Sequence, residues 1–211
     1  MGLSLPKQYA RMGSKTMLEH SIDALLAAPV IEHIVVVVAA NDEYWRQLPA
    51  SNKVTFAPVG AASRAGSVRA GLQTLAAARD DWAVVHDAAR PCLSTTELQC
   101  LLADAQDEAI GRVLALPLAD TLKRARDGLA YETVPRDGLW RALTPQMIRA
   151  GALQDALDAI GDLAMVTDEA AALEQGGHYA RLVAGQATNI KVTAPADWTL
   201  AEAILRAQGR W

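Results

Sequence analysis

Apolar positions along the chain recur in two alternating rhythms. Residues 15–28 place Met17, Leu18, Ile22, Leu25 and Leu26 at helical spacing, so one helix face is apolar. Residues 33–39, with the run Ile34-Val35-Val36-Val37-Val38, read as a strand apolar on both sides, the kind buried within a parallel sheet. Residues 53–57 read as a short strand. Residues 67–79 form a helix with Val68, Leu72 and Leu75 on one side, and 81–86 form a strand. Residues 94–109 form a helix opened by the capping box Ser94-Thr95-Thr96-Glu97, and 112–116 form a further strand. This alternation predicts an α/β fold, a doubly wound and mostly parallel sheet with helices on both faces.

The rhythm then breaks. Residues 121–126 and 129–134 flank Asp127-Gly128. Asp-Gly between two alternating runs predicts a hairpin, because a type I′ turn needs positive φ at both central residues. A lone hairpin is marginal in water, so this arm, at about residues 119–137, packs either on its own domain or on another subunit. Helices resume at 145–160, 168–175 and 195–207, with a strand at 179–183. Repeats and low-complexity linkers are absent from the sequence, which predicts one domain over residues 1–211 carrying the arm.

Composition narrows the class. Of 211 residues, 51% are hydrophobic and 21% charged, which is ordinary for a folded domain and excludes a disordered chain. No apolar run approaches the ~18 residues that a membrane span needs, so no membrane partner is expected. Twenty Lys and Arg against 24 Asp and Glu give a net charge of −4, which argues against a nucleic-acid partner. The N-terminal residues lack the apolar stretch of a signal peptide. Cys92 and Cys100 form no metal or disulfide pattern. Cys100 reads as a core residue on a helix face, and the expected compartment is the cytoplasm.

Candidate chemistry clusters where predicted strands end. Lys7, in Pro6-Lys7-Gln8-Tyr9, is a cation in a loop before a helix; it meets a phosphate or is a solvated surface lysine. The loop from Gly60 to Ser67 consists largely of small residues, which let backbone approach a ligand. Its helix start favours anions, although Ser67 as an ordinary N-cap explains the same letters. Val85-His86-Asp87-Ala88-Ala89-Arg90-Pro91 ends an apolar strand in an acid, where doubly wound sheets bind ligands. Asp87 there suits a ribose hydroxyl or a metal ion, or else caps a turn and pairs with Arg90. Arg136, after the arm, suits a phosphate or a solvated hairpin base; Thr121 and Thr144 bracket the same region. Thr167-Asp168-Glu169 opens a helix, with Thr167 as cap. Residues 189–193 read as a short strand carrying Lys191. His20, His33 and His178 show no ligand spacing, and no nucleophile-elbow or Walker motif is present.

These segments, in this order, resemble the 2-C-methyl-D-erythritol 4-phosphate cytidylyltransferases. The resemblance rests on Pro6-Lys7-Gln8-Tyr9, Arg64-Ala65-Gly66-Ser67-Val68, Val85-His86-Asp87-Ala88-Ala89-Arg90-Pro91 and Asp120-Thr121-Leu122-Lys123-Arg124. It continues through Gly138-Leu139-Trp140, Leu143-Thr144-Pro145-Gln146, Thr167-Asp168-Glu169-Ala170 and Asn189-Ile190-Lys191-Val192-Thr193. It implies a Rossmann-like nucleotidyltransferase fold, with a homodimer made through the hairpin arms. It implies transfer of CMP from CTP to a polyol phosphate, 2-C-methyl-D-erythritol 4-phosphate, with Mg²⁺ as cofactor. By matching position, Lys7 and Lys191 are the catalytic cations on the triphosphate and α-phosphate. Ala61, Ala62, Ser67, Asp87 and Ala88 bind the nucleotide, and Asp87 lies close to the metal. Thr121, Arg136 and Thr144 receive the polyol phosphate, the arm residues reaching from the partner subunit.

Two departures modify the expectation. Met1 stands where the Met of the family's opening Ala-Ala-Gly-x-Gly-x-Arg-Met loop falls. The resemblance therefore predicts a chain of low activity whose sheet lacks a central strand. Ala61-Ala62 stand where a Gly and an acid are frequent. The alternatives are a ribitol-phosphate cytidylyltransferase and an inactive nucleotide-binding or dimerisation protein.

Overall fold

The first structured turn already carries a candidate site residue. In the computed structural model, which describes residues 5–103 and 110–211, Lys7–Tyr9 form one 3-10 turn. Strands β1 (Arg11–Met12) and β2 (Lys15–Thr16) then make a tight antiparallel hairpin. Helix α1 (Met17–Leu26) starts on a capping box: the Thr16 hydroxyl accepts from the Glu19 amide, and the Glu19 carboxylate accepts from the Thr16 amide.

Strands β3 (Ile34–Ala39) and β4 (Val54–Gly60) pair in parallel, and helix α2 (Arg64–Leu75) follows β4 directly. Strand β5 (Trp82–Val85), helix α3 (Thr95–Leu102) and strand β6 (Gly111–Pro117) come next. The arm is strands β7 (Leu122–Arg126) and β8 (Leu129–Val134). Asp127 and Gly128 sit at φ 51° and 78°, the positive pair that the Asp-Gly signal demands. Strand β9 (Trp140–Arg149) leads into helix α4 (Ala150–Ala159). Helix α5 (Glu169–Gln175), strand β10 (Arg181–Ala184) and helix α6 (Pro195–Ala207) complete the chain.

A four-stranded sheet runs in the order β10-β6-β9-β5 beside the β3–β4 pair. The β10–β6 pairing is parallel, while β9 runs antiparallel to both β5 and β6. Helices cover both faces. Met147 packs with α1 and α3 through Leu25, Leu98 and Leu101. Its neighbour Ile148 packs with α4 and α5 through Leu153, Leu157 and Leu173. Adjacent residues of one strand thus enter opposite layers, as the period of two requires. A third cluster docks α6 on the start of the chain through Met12, Met17, Val192 and Leu205.

Several local expectations are corrected. Residues 145–149 belong to β9, not to the helix predicted from Pro145. Proline reads as a first-turn helix residue, but here residues 143–145 bulge against Leu114 between the Val113–Gln146 and Ala115–Ala142 pairs. At a bulge the missing N–H costs no ladder bond. β3 is half-exposed over Ile34–Val37 rather than buried on both faces, because among the described residues it pairs with β4 alone. Cys100 is exposed, on the outer side of α3. Residues 189–193 form a loop, not a strand. Helix α3 ends at Leu102, with Ala103 extended as its C-cap, short of the predicted residue 109; residues 104–109 lie outside the described residues.

Candidate active site

Strand β5 ends at Val85, and the chain turns back at once, with the Arg90 amide 3.0 Å from the Asp87 carbonyl. His86 is half-buried behind this turn. Its Nε2 lies 3.1 Å from the Arg90 carbonyl and its Nδ1 lies 3.1 Å from Thr144 Oγ1. A carbonyl only accepts, so Nε2 carries the proton and Nδ1 accepts from the Thr144 hydroxyl. Thr144 Oγ1 in turn accepts from the Asp87 amide at 3.0 Å. The hydroxyl thereby both donates and accepts, and Thr144 is 5% exposed. Burial pushes the His86 imidazole down to about 4, so the ring is neutral around pH 7 and the chain of bonds has one direction.

Asp87 is surrounded by cations. Its Oδ1 accepts from Arg64 Nε at 3.0 Å, its Oδ2 lies 2.8 Å from Lys191 Nζ, and Arg90 Nε is 3.9 Å away. Burial alone pushes this carboxyl up. The Arg64 charge and the Lys191 hydrogen bond and charge outweigh that and bring it down to about 2. Asp87 is therefore a fixed negative charge between two cations that face solvent.

The ends of the chain meet at this edge. Lys7 Nζ donates to the Val192 carbonyl at 2.9 Å. The Val192 amide donates to the Ala89 carbonyl at 2.8 Å. Lys7, Lys191 and the Asp87-Ala88-Ala89 turn thus form one cluster, as the ordered motifs suggest. Lys191 is 44% exposed along its side chain, free to exchange Asp87 for a ligand anion.

The small-residue loop lies beside it. Ala61 and Ala62 are exposed. Ser67 Oγ accepts from the Ala61 amide at 3.0 Å and donates to the Ser63 carbonyl at 3.0 Å. Ser63, not Ser67, caps α2, accepting from the Gly66 amide; Ser67 sits one turn inside. A Cβ on Gly66 would come 2.9 Å from Ala61 Cβ, so the loop lies flat on the helix start because Gly66 has no side chain. Thr121 and Arg136 are exposed at the base of the arm, where Arg136 donates to the Ala119 carbonyl. Among the described residues neither shares a hydrogen bond or ion pair with the Asp87 cluster.

Three residues stand in the ordered motifs with no role that the letters alone assign. Arg64 bridges Asp87 to Glu169 through a bidentate contact of 2.5 and 3.1 Å. Glu169 is 2% exposed. Burial pushes its carboxyl up against the Arg64 pairing, and burial of Arg64 is outweighed by Glu169 and Asp87, which hold its guanidinium charged. The Thr167 cap is likewise corrected: Asp168 caps α5, accepting from the Ala171 amide at 2.9 Å. Helix-start acids usually read as caps, which hides a buried one. His86 is the third, concealed because a lone histidine has no pattern.

The profile of the 2-C-methyl-D-erythritol 4-phosphate cytidylyltransferase family matches residues 1–207. A protein of that name from Dechloromonas aromatica is 47% identical over 213 residues, covering 98% of this chain and 92% of the relative. One from Escherichia coli O7:K1 is 47% identical, covering 96% of this chain and 86% of the relative. The chain also resembles a crystal structure of 4-diphosphocytidyl-2C-methyl-D-erythritol synthase at a TM-score of 0.85 and 40% identity, over 94% of both chains. The Francisella tularensis cytidylyltransferase superposes at 0.86 with 31% identity, covering 95% of this chain and 94% of that one.

Proposed function

The chain belongs to the 2-C-methyl-D-erythritol 4-phosphate cytidylyltransferase family, and on that premise we infer which residues serve its reaction and how. It is a nucleotidyltransferase that joins the cytidylyl group of CTP to 2-C-methyl-D-erythritol 4-phosphate, releasing diphosphate. An oxygen of the polyol phosphate attacks the α-phosphorus of CTP, and the bond to the β-phosphate oxygen breaks. The nucleophile is already anionic, so no side chain needs to take a proton. The protein's task is to align two anions and offset the charge that gathers between them.

The observation that carries the assignment of roles is that Lys191 pairs with Asp87 while Lys7 bonds the carbonyl of Val192, the next residue along. In this reading Lys191 leaves Asp87 for the α-phosphate, and Lys7 holds the triphosphate beside it. Ala61, Ala62 and Ser67 border the cytosine, and the flat loop admits a pyrimidine while crowding a purine. Asp87 and Ala88 meet the ribose. Thr121 and Arg136 clamp the polyol phosphate from the partner subunit's arm, and Thr144 supports the same subsite while it orients Asp87.

Mg²⁺ fits this donor set as a weakly protein-held ion. Mg²⁺ prefers hard oxygen ligands, keeps several waters, and needs only one or two carboxylates beside substrate phosphates. Asp87, held ionised, would supply that carboxylate; when bound, the ion neutralises triphosphate charge. The cytoplasmic reading rests on Cys92 and Cys100, both free. Among the described residues no helix is long and apolar enough to cross a membrane.

The test is product analysis. Incubation with CTP, Mg²⁺ and equal amounts of 2-C-methyl-D-erythritol 4-phosphate and ribitol 5-phosphate should yield 4-diphosphocytidyl-2-C-methyl-D-erythritol by mass spectrometry. Product from ribitol phosphate alone would overturn the acceptor. Equal turnover of ATP or GTP would overturn the base pocket.

A further inference from the structure

Lys191 sits on a loop without secondary structure, so something else must fix its Nζ. We propose that Glu97, in the first turn of α3, is a positioning residue that sets Lys191 through Asn189. This rests on the reading of Lys191 as a catalytic cation. Glu97 satisfies the capping box, its Oε2 accepting from the Ser94 amide at 3.2 Å, yet half of its carboxyl does something a cap does not need. Oε1 accepts from the Gln186 amide at 2.8 Å and from Asn189 Nδ2 at 3.3 Å. Both partners lie about ninety residues along the chain, in the segment that carries Lys191.

Asn189 passes the constraint on. Its Nδ2 also donates to the Thr144 carbonyl at 3.0 Å, and its own carbonyl accepts from Arg90 Nη1 at 2.7 Å. Glu97 and Asn189 are 2% and 1% exposed, so water does not compete for these bonds. The segment is seated closely: a Cβ on Gly185 would come 2.8 Å from Leu143 Cδ1 and 3.4 Å from Glu97 Oε1. Two residues past Asn189, Lys191 Nζ reaches Asp87 Oδ2 at 2.8 Å. Glu97 thus links the start of α3 to the cation across the sheet edge.

Glutamine cannot replace this carboxylate. Both oxygens of Glu97 accept, one from Ser94 and one from the loop, whereas the amide of glutamine must turn an N–H₂ toward one of these donors. Ser94→Ala removes the hydroxyl of the cap, with its 3.3 Å bond to the Gln186 side chain, and leaves the Oε1 contacts of Glu97 to the loop in place. In the full chain, Glu97→Gln should raise amide exchange of the 185–193 segment about tenfold and lower kcat by about 10- to 100-fold. The KM for CTP should stay within about threefold. Ser94→Ala should lower Tm with exchange at 185–193 and kcat near wild type. Asn189→Ala should reproduce the Glu97→Gln pattern, and it serves if Glu97→Gln does not fold. Added to Lys191→Ala, Glu97→Gln should lower kcat no further. Unchanged exchange at 185–193, or full additivity with Lys191→Ala, overturns the proposal. Near-normal kcat in Lys191→Ala alone overturns the role of the lysine instead, while exchange still reads the hold of Glu97.

Discussion

Lys191 and Lys7 contribute charge at the site and little packing, and that separates their effects on rate and on stability. Lys191 is half-exposed, and its ion pair with Asp87 is the kind that solvent screens. Lys7 loses one hydrogen bond to a carbonyl when truncated, worth about 1 kcal/mol. Lys191→Ala and Lys7→Ala should therefore each lower kcat by about 10²–10³, as for loss of one preorganised donor, with Tm nearly unchanged in calorimetry. Near-normal kcat in both would refute their roles. His86 acts on stability instead. Burial lowers its folded value to about 4, against about 6.5 unfolded. Between these values the unfolded chain binds the proton and the folded chain does not, so stability falls as pH drops from about 6.5 to about 4. The full effect is about 3 kcal/mol, with His20 adding in the same direction because burial lowers it too. His86→Asn keeps an acceptor for Thr144 and removes the titration. Urea unfolding at pH 7 and pH 4.5 should show a smaller difference in that variant; an unchanged difference would mean that other groups carry it.

Arg64 matters as the joint between elements, since it leaves α2 to meet β5 through Asp87 and α5 through Glu169. Arg64→Ala strands the buried Glu169 carboxylate and should cost about 3 kcal/mol, the low end for a broken buried pair because Arg64 keeps partial exposure. Glu169→Leu together with Arg64→Met should recover most of that in denaturant unfolding while leaving Asp87 without its Arg64 partner; a double variant no more stable than Arg64→Ala would refute the account. The same joint marks the limit of what the sequence discloses. Helix α6 is read to the residue, and the arm is read from Asp127-Gly128, because periodicity and turn chemistry are local. The pairing of β9 between β5 and β6 is not local, and Pro145 points to a helix until the bulge opposite Leu114 explains it. Lys7, Asp87 and Lys191 were legible as members of ordered motifs. Glu169 and His86 stand in the same motifs without a role, and Glu97 stands only in a capping box: an acid in a first helical turn looks the same whether it caps in solvent or reaches a distant loop, and only the tertiary partner distinguishes them.

At the scale of the whole molecule the arm exposes apolar side chains that no other element covers among the described residues. Leu129 and Tyr131 on β8 are 72% and 54% exposed, and the strands hold to each other by the Arg124–Glu132 ion pair and the Lys123–Thr133 bond. A two-stranded ribbon held this way is marginal alone. A second copy would cover Leu129 and Tyr131 with the same surface, since a two-fold contact is self-complementary. Light scattering should therefore give a dimer, and Leu129→Asp with Tyr131→Asp should give a monomer that keeps its fold. The proposed dimer gives Thr121 and Arg136 a place to work. On this reading they reach the substrate in the partner's site. Mixing subunits decides this. Arg136→Ala chains and Lys191→Ala chains should each be nearly inactive as homodimers at low polyol phosphate. In a mixed dimer, if arms serve the opposite site, one site receives an intact Lys191 from one chain and an intact Arg136 from the other. With random assortment about half the dimers are mixed and half their sites are whole, so activity should return to about a quarter of wild type. If each arm serves its own chain, every site in the mixture keeps one defect and mixing restores nothing.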